Sequence, residues 1–253
     1  MKTVLKLISL VLLIAYLFAA FAYCSTLARE KKCNKIEIAV LDSTRLHYIS
    51  DKDILKLIEK SNLSPAGKLL KDVNTERIEE ILKKNDILSN VQCYKKVNGN
   101  IRIDVSQRIP VLRAITPDST YYLDKQGKRI TSNFMTLSYV PVATGEFNQE
   151  FAVNKLLPLA LYLQNDKFWN SQIEQIYVNQ SGEIELIPRI GDQLIILGDT
   201  ENLETKLSNL MCLYKQAFSR IGWNTYDTIS VQFDNQIVFT RRDKKPNNII
   251  PKE

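Results

Sequence analysis

The chain has 253 residues, with 34 lysines and arginines against 28 aspartates and glutamates, a formal net charge of +6 and 45% hydrophobic residues. This is the composition of an ordinary globular protein with room for two small domains. The basic residues are scattered, thickening only just after residue 24 and at Arg241-Arg242 with Lys244-Lys245. No basic stripe with interleaved aromatics points to nucleic acid, and basic ends of this kind read as solvated termini or as patches near anionic lipid.

The first element is apolar. Between Val4 and Tyr23 the only charge is Lys6, and Leu7 to Ala22 holds only apolar residues, Ser9 and Tyr16. Twenty helical residues rise about 30 Å, roughly the hydrocarbon thickness of a bilayer. Lys6 can snorkel, and Tyr23 sits where an interfacial aromatic is expected. The pattern predicts a cytoplasmic tail at 1–3, a transmembrane helix at 4–24 and a juxtamembrane linker at 25–35. Three other readings compete. A buried core helix would carry a polar face, and this segment has none. A cleaved signal peptide draws on Ala20-Phe21-Ala22, but the apolar run is longer than a signal core. Lipidation at Cys24 is opposed by the bulky Tyr23 before it. Lys2 and Lys6 on one side, and Arg29, Lys31, Lys32 and Lys35 on the other, leave the positive-inside rule divided. The large folded portion after the span favours an N-terminus inside and the bulk outside.

Residues 36–108 read as a βααββ unit. Ile36 to Leu41 is an apolar strand, and Ser50-Asp51-Lys52-Asp53 is a capping-box-like helix start. Ile54, Leu57 and Ile58 follow at helical spacing. Pro65 and Gly67 break the chain, and a second helix starts near Asn74 or Thr75 with Ile78, Ile81 and Leu82 on one face. Val91 to Val97, the Asn98-Gly99 turn and the alternating Ile101, Ile103 and Val105 form a hairpin.

From 109 to 242 the texture is mainly β with two helices, so the fold class is α+β. Tyr121-Tyr122-Leu123-Asp124 turns at Gly127 and returns through Arg129-Ile130. Phe151 to Asn165 reads as a helix that Pro158 must start or kink. Ile173 to Val178, Ile184 to Ile187 and Leu194 to Leu197 read as strands. Leu203, Leu207, Leu210, Met211, Tyr214, Ala217 and Phe218 share a helix face. Ile229, Val231 and Phe233 alternate, and Ile237 to Arg241 is a last strand. The tail, 243–253, carries Pro246 and Pro251 and reads as disordered.

Chemistry is absent from this pattern. His47 is the only histidine, in a polar turn, and neither Ser-His-Asp nor Cys-His catalysis can be assembled without a better-placed base. No phosphate loop, HExxH or GxSxG is present. Glu79-Glu80 and Glu183/Glu185 lie on amphipathic elements and read as solvated faces. The four cysteines, Cys24, Cys33, Cys93 and Cys212, form no CxxC pair, so no metal site is expected. Cys93 and Cys212 read as packing residues. Nothing calls for a catalytic residue, a cofactor or a small-molecule substrate, and a binding protein is the expectation.

The order of a single span, a βααββ unit, Gln107-Arg108-Ile109-Pro110-Val111-Leu112-Arg113 and then Tyr121-Tyr122-Leu123-Asp124-Lys125-Gln126-Gly127 resembles the bacterial FtsQ/DivIB family of cell-division proteins. Ile187-Pro188-Arg189-Ile190-Gly191, the Leu197-Gly198-Asp199 turn, Lys206-Leu207 and Gln236-Ile237-Val238 agree. The brief tail and low glycine content resemble the Bacteroidetes-like forms. The resemblance implies a POTRA-like domain, then the family's β domain. It also implies a non-enzymatic scaffold at the division septum of the inner membrane, with the bulk periplasmic, that helps control septal peptidoglycan synthesis. It implies that the FtsB/FtsL pair adds a strand beside the last strand, at about Gln236, Val238, Thr240, Arg241 and Arg242. Arg241 and Arg242 can then pair with partner carboxylates, and which residues face which way stays open. Gln107, Arg108, Pro110, Tyr122, Asp124 and Gly127 carry family identity with structural roles: domain junction, strand stop and turn. A POTRA-bearing chaperone or transport module of the envelope, and an anchored cell-wall hydrolase, remain as alternatives.

Overall fold

A helix without a polar face has no side to direct inward, and the first element behaves accordingly. In the computed structural model, which describes residues 2–29, 31–41, 48–131, 139–218, 222, 225–233 and 236–242, α1 (Lys2–Arg29) is one helix of 28 residues. Its described side chains are those of 8, 10–21 and 23, and the large ones, among them Leu12, Phe18 and Phe21, are exposed. Among the described residues no helix is long and apolar enough to cross a membrane. The helix runs on through 25–29, the first part of the expected linker. His47 and the tail from Asp243 lie outside the described residues.

The described chain forms two units that change over between Arg108 and Ile109. The first holds β1 (Ile36–Val40), α2 (Asp51–Lys60), α3 (Thr75–Lys83), β2 (Leu88–Lys95) and β3 (Ile101–Gln107). Its sheet has the order β1-β3-β2, with β1 parallel and β2 antiparallel to β3. The capping box forms: Asp53 N–H donates to Ser50 Oγ at 3.3 Å, while Ser50 N–H reaches Asp53 Oδ2 at 3.2 Å. Asn74 caps α3, its Oδ1 accepting from Arg77 N–H at 2.9 Å. The Asn98-Gly99 turn closes β2 onto β3, with Gly99 at φ +90°. Ile54, Ile58, Ile78, Leu82, Val91, Ile101, Ile103 and Val105 fill the core between helices and sheet. Strand β2 starts three residues before the expected Val91, because Leu88 already pairs with Gln107 across an irregular step.

The second unit is built on a nine-stranded sheet of order β12-β11-β10-β9-β8-β7-β4-β5-β6. Its strands are β4 (Pro110–Ile115), β5 (Thr120–Asp124), β6 (Arg129–Ile130), β7 (Val142–Gly145), β8 (Ile173–Val178), β9 (Ile184–Pro188), β10 (Leu194–Gly198), β11 (Tyr226–Ser230) and β12 (Val238–Arg241). β7 is parallel to both β4 and β8, and β10 is parallel to β11; the other pairings are antiparallel. Leu112, Ala114, Leu123, Ile176, Leu186, Ile195 and Ile229 meet Leu156, Leu159, Ala160, Leu163, Leu207 and Leu210 in one core cluster. Full burial of each of these leucine and isoleucine side chains is worth about 1.5–3 kcal/mol.

Three expectations need correction. The two helices of this unit are three helical regions. α4 (Gln149–Phe151) passes through a π turn, Ala152–Leu156, into α5 (Leu157–Asn165); α6 (Lys167–Gln172) is separate; α7 (Leu203–Leu213) ends in a π turn, Tyr214–Phe218. α6 exists because the Asp166 carboxylate accepts from the N–H groups of Phe168 and Trp169, and Trp169 anchors it in the core. Pro158 starts the helix proper as expected, standing in the first turn of α5, and its missing N–H and bulky ring account for the widened turn before it. Pro110 opens β4 rather than stopping a strand, at a position where a proline is tolerated. Cys212 is exposed, since α7 turns that position away from Leu207 and Leu210.

Candidate partner-binding edge

The last strand closes one end of the nine-stranded sheet, and nothing in the described chain pairs with its outer side. All four of its residues are exposed, Val238 at 44% and Phe239 at 37%. Against β11 the register is Ser230↔Val238, Ile229↔Phe239, Thr228↔Thr240 and then, after a slip, Tyr226↔Arg241. The slip is a bulge with Asp227 as its extra residue.

The pairing with β11 settles which way each side chain faces. Residues directly opposite one another point to the same side of a sheet. Ile229 is buried in the core, so its partner Phe239 lies on the core-side face, as does Arg241 two residues on. The slip brings Tyr226 to that face too, and its ring lies 4.9 Å from that of Phe239. Ile237 packs against the core from the same side. Val238, Thr240 and Arg242 occupy the opposite face. There Arg242 Nε donates to Asp227 Oδ1 at 2.5 Å, Nη1 to Asp192 Oδ2 at 3.3 Å and Nη2 to the Asp192 carbonyl at 3.2 Å. The Asp227 carboxylate first, and then Asp192, raises the Arg242 guanidinium above its ordinary value. Arg242 is thus engaged within its own sheet. Arg241 is exposed and, among the described residues, makes no ion pair. Gln236 is exposed just before the strand.

The backbone has a parity as well. Arg242 N–H donates to the Thr225 carbonyl at 3.1 Å, so its polar groups turn inward to β11. Along a strand the N–H and C=O of alternate residues point to alternate neighbours. Those of Val238 and Thr240 therefore join the inner ladder, and those of Phe239 and Arg241 point to the open edge. On β11, Val231 N–H donates to the Ile196 carbonyl of β10 at 2.9 Å, which leaves Thr228 and Ser230 for β12, as this parity requires.

The motif residues lie elsewhere. Gln107 is buried, its Oε1 accepting from Tyr48 N–H at 2.8 Å. Arg108 N–H donates to the Ile87 carbonyl, holding the end of β3. Pro110 pairs with Asp124 across β4 and β5. Tyr122 is buried, with the Arg113 guanidinium 5.7 Å from its ring centroid. Asp124 organises the turn: its Oδ1 accepts from Gln126 N–H at 2.9 Å and Lys128 N–H at 2.7 Å. Gly127 stands at φ +75°, and a Cβ there would lie 2.9 Å from Val153 Cγ1, so both backbone and space demand glycine. Six strands separate β5, which ends in this turn, from β12; the motif builds the scaffold far from that edge. Asp227, Asp192 and Tyr226, which shape that edge, carry no pattern in the sequence beyond ordinary strand residues. Among the described residues no group of three or more His, Cys, Asp and Glu side chains could hold a metal.

A POTRA-like domain model matches residues 31–106. A model described as FtsQ/DivIB, C-terminal related, matches residues 109–240 and takes in the whole of the nine-stranded unit up to β12. No curated protein matches the chain. With the C-terminal model covering more than half of the sequence behind a POTRA-like domain, the chain belongs to the FtsQ/DivIB family of cell-division proteins.

Proposed function

We propose that this chain is a non-enzymatic scaffold of the divisome, anchored by a single span at 4–24 with its N-terminus cytoplasmic. On this reading 25–35 link the span to a POTRA-like domain at 36–108 and a β domain at 109–242, both periplasmic, with a tail at 243–253. The partner, the FtsB/FtsL pair on the family resemblance, adds a strand to β12 and is held at the septum, where the complex helps control peptidoglycan synthesis. The observation that carries the reading is the open edge at Phe239 and Arg241. An edge strand with unpaired amides and carbonyls invites another strand unless charge, proline or a covering element guards it. Here Arg241 is the only charge within the strand, and Val238 and Phe239 leave apolar surface beside it. The exposed side chains of α1 support the anchor, since contiguous apolar surface of that kind marks a membrane or a partner.

The backbone parity selects the test. Arg241→Pro removes an outward N–H and keeps the inner ladder, whereas Val238→Pro would break β11–β12 itself. Arg241→Ala keeps the N–H and separates charge from backbone. Capture of the FtsB/FtsL periplasmic segment by the full chain is expected to fall at least about tenfold with Arg241→Pro, from one interchain hydrogen bond and the bulk of the ring, and less with Arg241→Ala. Equal capture by a folded Arg241→Pro variant would show an edge guarded by its own charge rather than a docking strand. Septal enrichment of a fluorescent fusion tests the wider role, and a uniform envelope signal through the cell cycle would count against it.

A further inference from the structure

The residues that follow α1 do not hang as a free tether. Lys31 to Lys35 form an extended strap clamped on both sides. The Lys31 carbonyl accepts from Leu70 N–H at 2.8 Å, Cys33 N–H donates to the Lys68 carbonyl at 2.8 Å and Gly67 N–H to the Cys33 carbonyl at 3.2 Å. On the other side Asn34 N–H reaches the Gly99 carbonyl at 3.1 Å, Ile101 N–H the Lys35 carbonyl at 3.0 Å, and Lys31 Nζ the Val97 carbonyl at 3.4 Å. The clamp gathers lysines that are scattered in sequence. Lys31, Lys32, Lys35, Lys68 and Lys71 are all exposed, and among the described residues none of the five makes an ion pair. Asp72, also exposed, subtracts one charge. Beside them the hairpin tip presents Val97, 89% exposed, to solvent.

Chain length fixes where this patch can go. Lys31 is two residue steps from Arg29, the end of α1, a reach of at most about 7 Å. A span ending near Tyr23 leaves six further helical residues, about 9 Å. The strap therefore begins within roughly one to two Debye lengths of the hydrocarbon edge at physiological salt, inside or just above the headgroups. An exposed apolar tip beside a strap whose flanking lysines make no ion pair complements, at that height, one surface, anionic headgroups over hydrocarbon. We propose that the strap and the β2–β3 hairpin form a collar that seats the POTRA-like domain on the anionic bilayer in which α1 is held, with Val97 entering the interface. This rests on reading α1 as a span.

The test uses the full chain in nanodiscs of phosphatidylcholine, with and without phosphatidylglycerol. A polarity-sensitive fluorophore is attached at Val97→Cys in a chain whose Cys24 and Cys212 are replaced by serine. Cys33 and Cys93 stay, since both are buried, and burial pushes the Cys93 thiol up to about 12. Emission is expected to shift to the blue in phosphatidylglycerol discs only, and to return toward its aqueous position in high salt. It should also return with Lys35→Glu, Lys68→Glu and Lys71→Glu combined, none of whose ammonium groups holds the strap. The seated fraction should change about fivefold per lysine at low salt. Emission independent of phosphatidylglycerol, or unmoved by the triple variant while circular dichroism is unchanged, overturns the collar. Extraction by alkaline carbonate reads the span separately. A chain released by carbonate would remove the anchor, whereas one that resists carbonate but shows no lipid dependence keeps the anchor and loses the collar.

Discussion

Lys206 and Arg242 each reach from one element of the second unit to a carboxylate on another, yet their surroundings are opposite. Only 7% of the Lys206 side chain is exposed, and its ammonium donates to Asp199 Oδ1 at 2.6 Å, the Asp199 carbonyl at 3.1 Å and the Leu197 carbonyl at 3.2 Å. Three protons meet three acceptors, so the cation is fully satisfied where it is buried. This joins two features that look unrelated in sequence, the Leu197-Gly198-Asp199 turn and Lys206-Leu207. Arg242 spans Asp227 and Asp192 at the surface, with side chains 31%, 48% and 73% exposed. The same chemistry therefore does two jobs. In the interior it fixes a turn against α7; at the rim it braces a strand while water and salt compete for both partners.

The comparison is broken or sharpened most directly at Lys206. Lys206→Met keeps the apolar stem but strands two carbonyls and a carboxylate. A stability loss of about 2–3 kcal/mol is expected from the urea midpoint; a loss under about 1 kcal/mol would mean that the turn holds itself. Acid gives the next effect. The hydrogen bond from Lys206 is the main cause holding the Asp199 carboxyl below its ordinary 3.8. A depressed carboxylate contributes stability that is present above the unfolded value and is lost as pH falls through the folded one. The difference in urea midpoint between wild type and Lys206→Met should thus narrow as pH drops below about 3.8. The narrowing is modest, because 58% of the Asp199 side chain is in water. Glu79, lowered mainly by the Cys93 N–H at 2.7 Å, titrates in both chains and cancels from that difference. The smallest effect belongs to Arg242→Gln, well below the Lys206→Met loss in low salt and smaller still at 0.5 M salt, about three times physiological ionic strength. A loss equal to that of Lys206→Met would show that the rim is as integral as the interior.

Legibility in the sequence followed locality. The capping box at Ser50, the cap at Asn74, the Asn98-Gly99 turn and the alternation of Ile101, Ile103 and Val105 all act within a few residues, and each forms as its pattern requires. The Asp124-to-Gly127 turn is legible for the same reason. β7 is not. Val142–Gly145 is four residues long, lies between two parallel neighbours and carries no alternation, so only the partners that flank it define it. α6 is hidden by its six-residue length. The facing of β12 is illegible because its pairing with another strand, Phe239 opposite the buried Ile229, sets it. Position 241 is consequently an outward backbone site, while its neighbour Arg242, alike in sequence, is tied to Asp227 and Asp192.

The parallel pairing of β10 with β11 carries a consequence in time. The chain leaves β10 at Gly198 and cannot return as β11 until Tyr226, with α7 between them. Such a crossover closes a long loop before its contacts repay the cost, and pairings of that kind form late. β12 has only β11 to lean on. The outward groups of Phe239 and Arg241 are therefore lined up only in a chain whose crossover has docked. A half-folded copy displays no ordered edge, so recruitment through it would double as a check on completed folding.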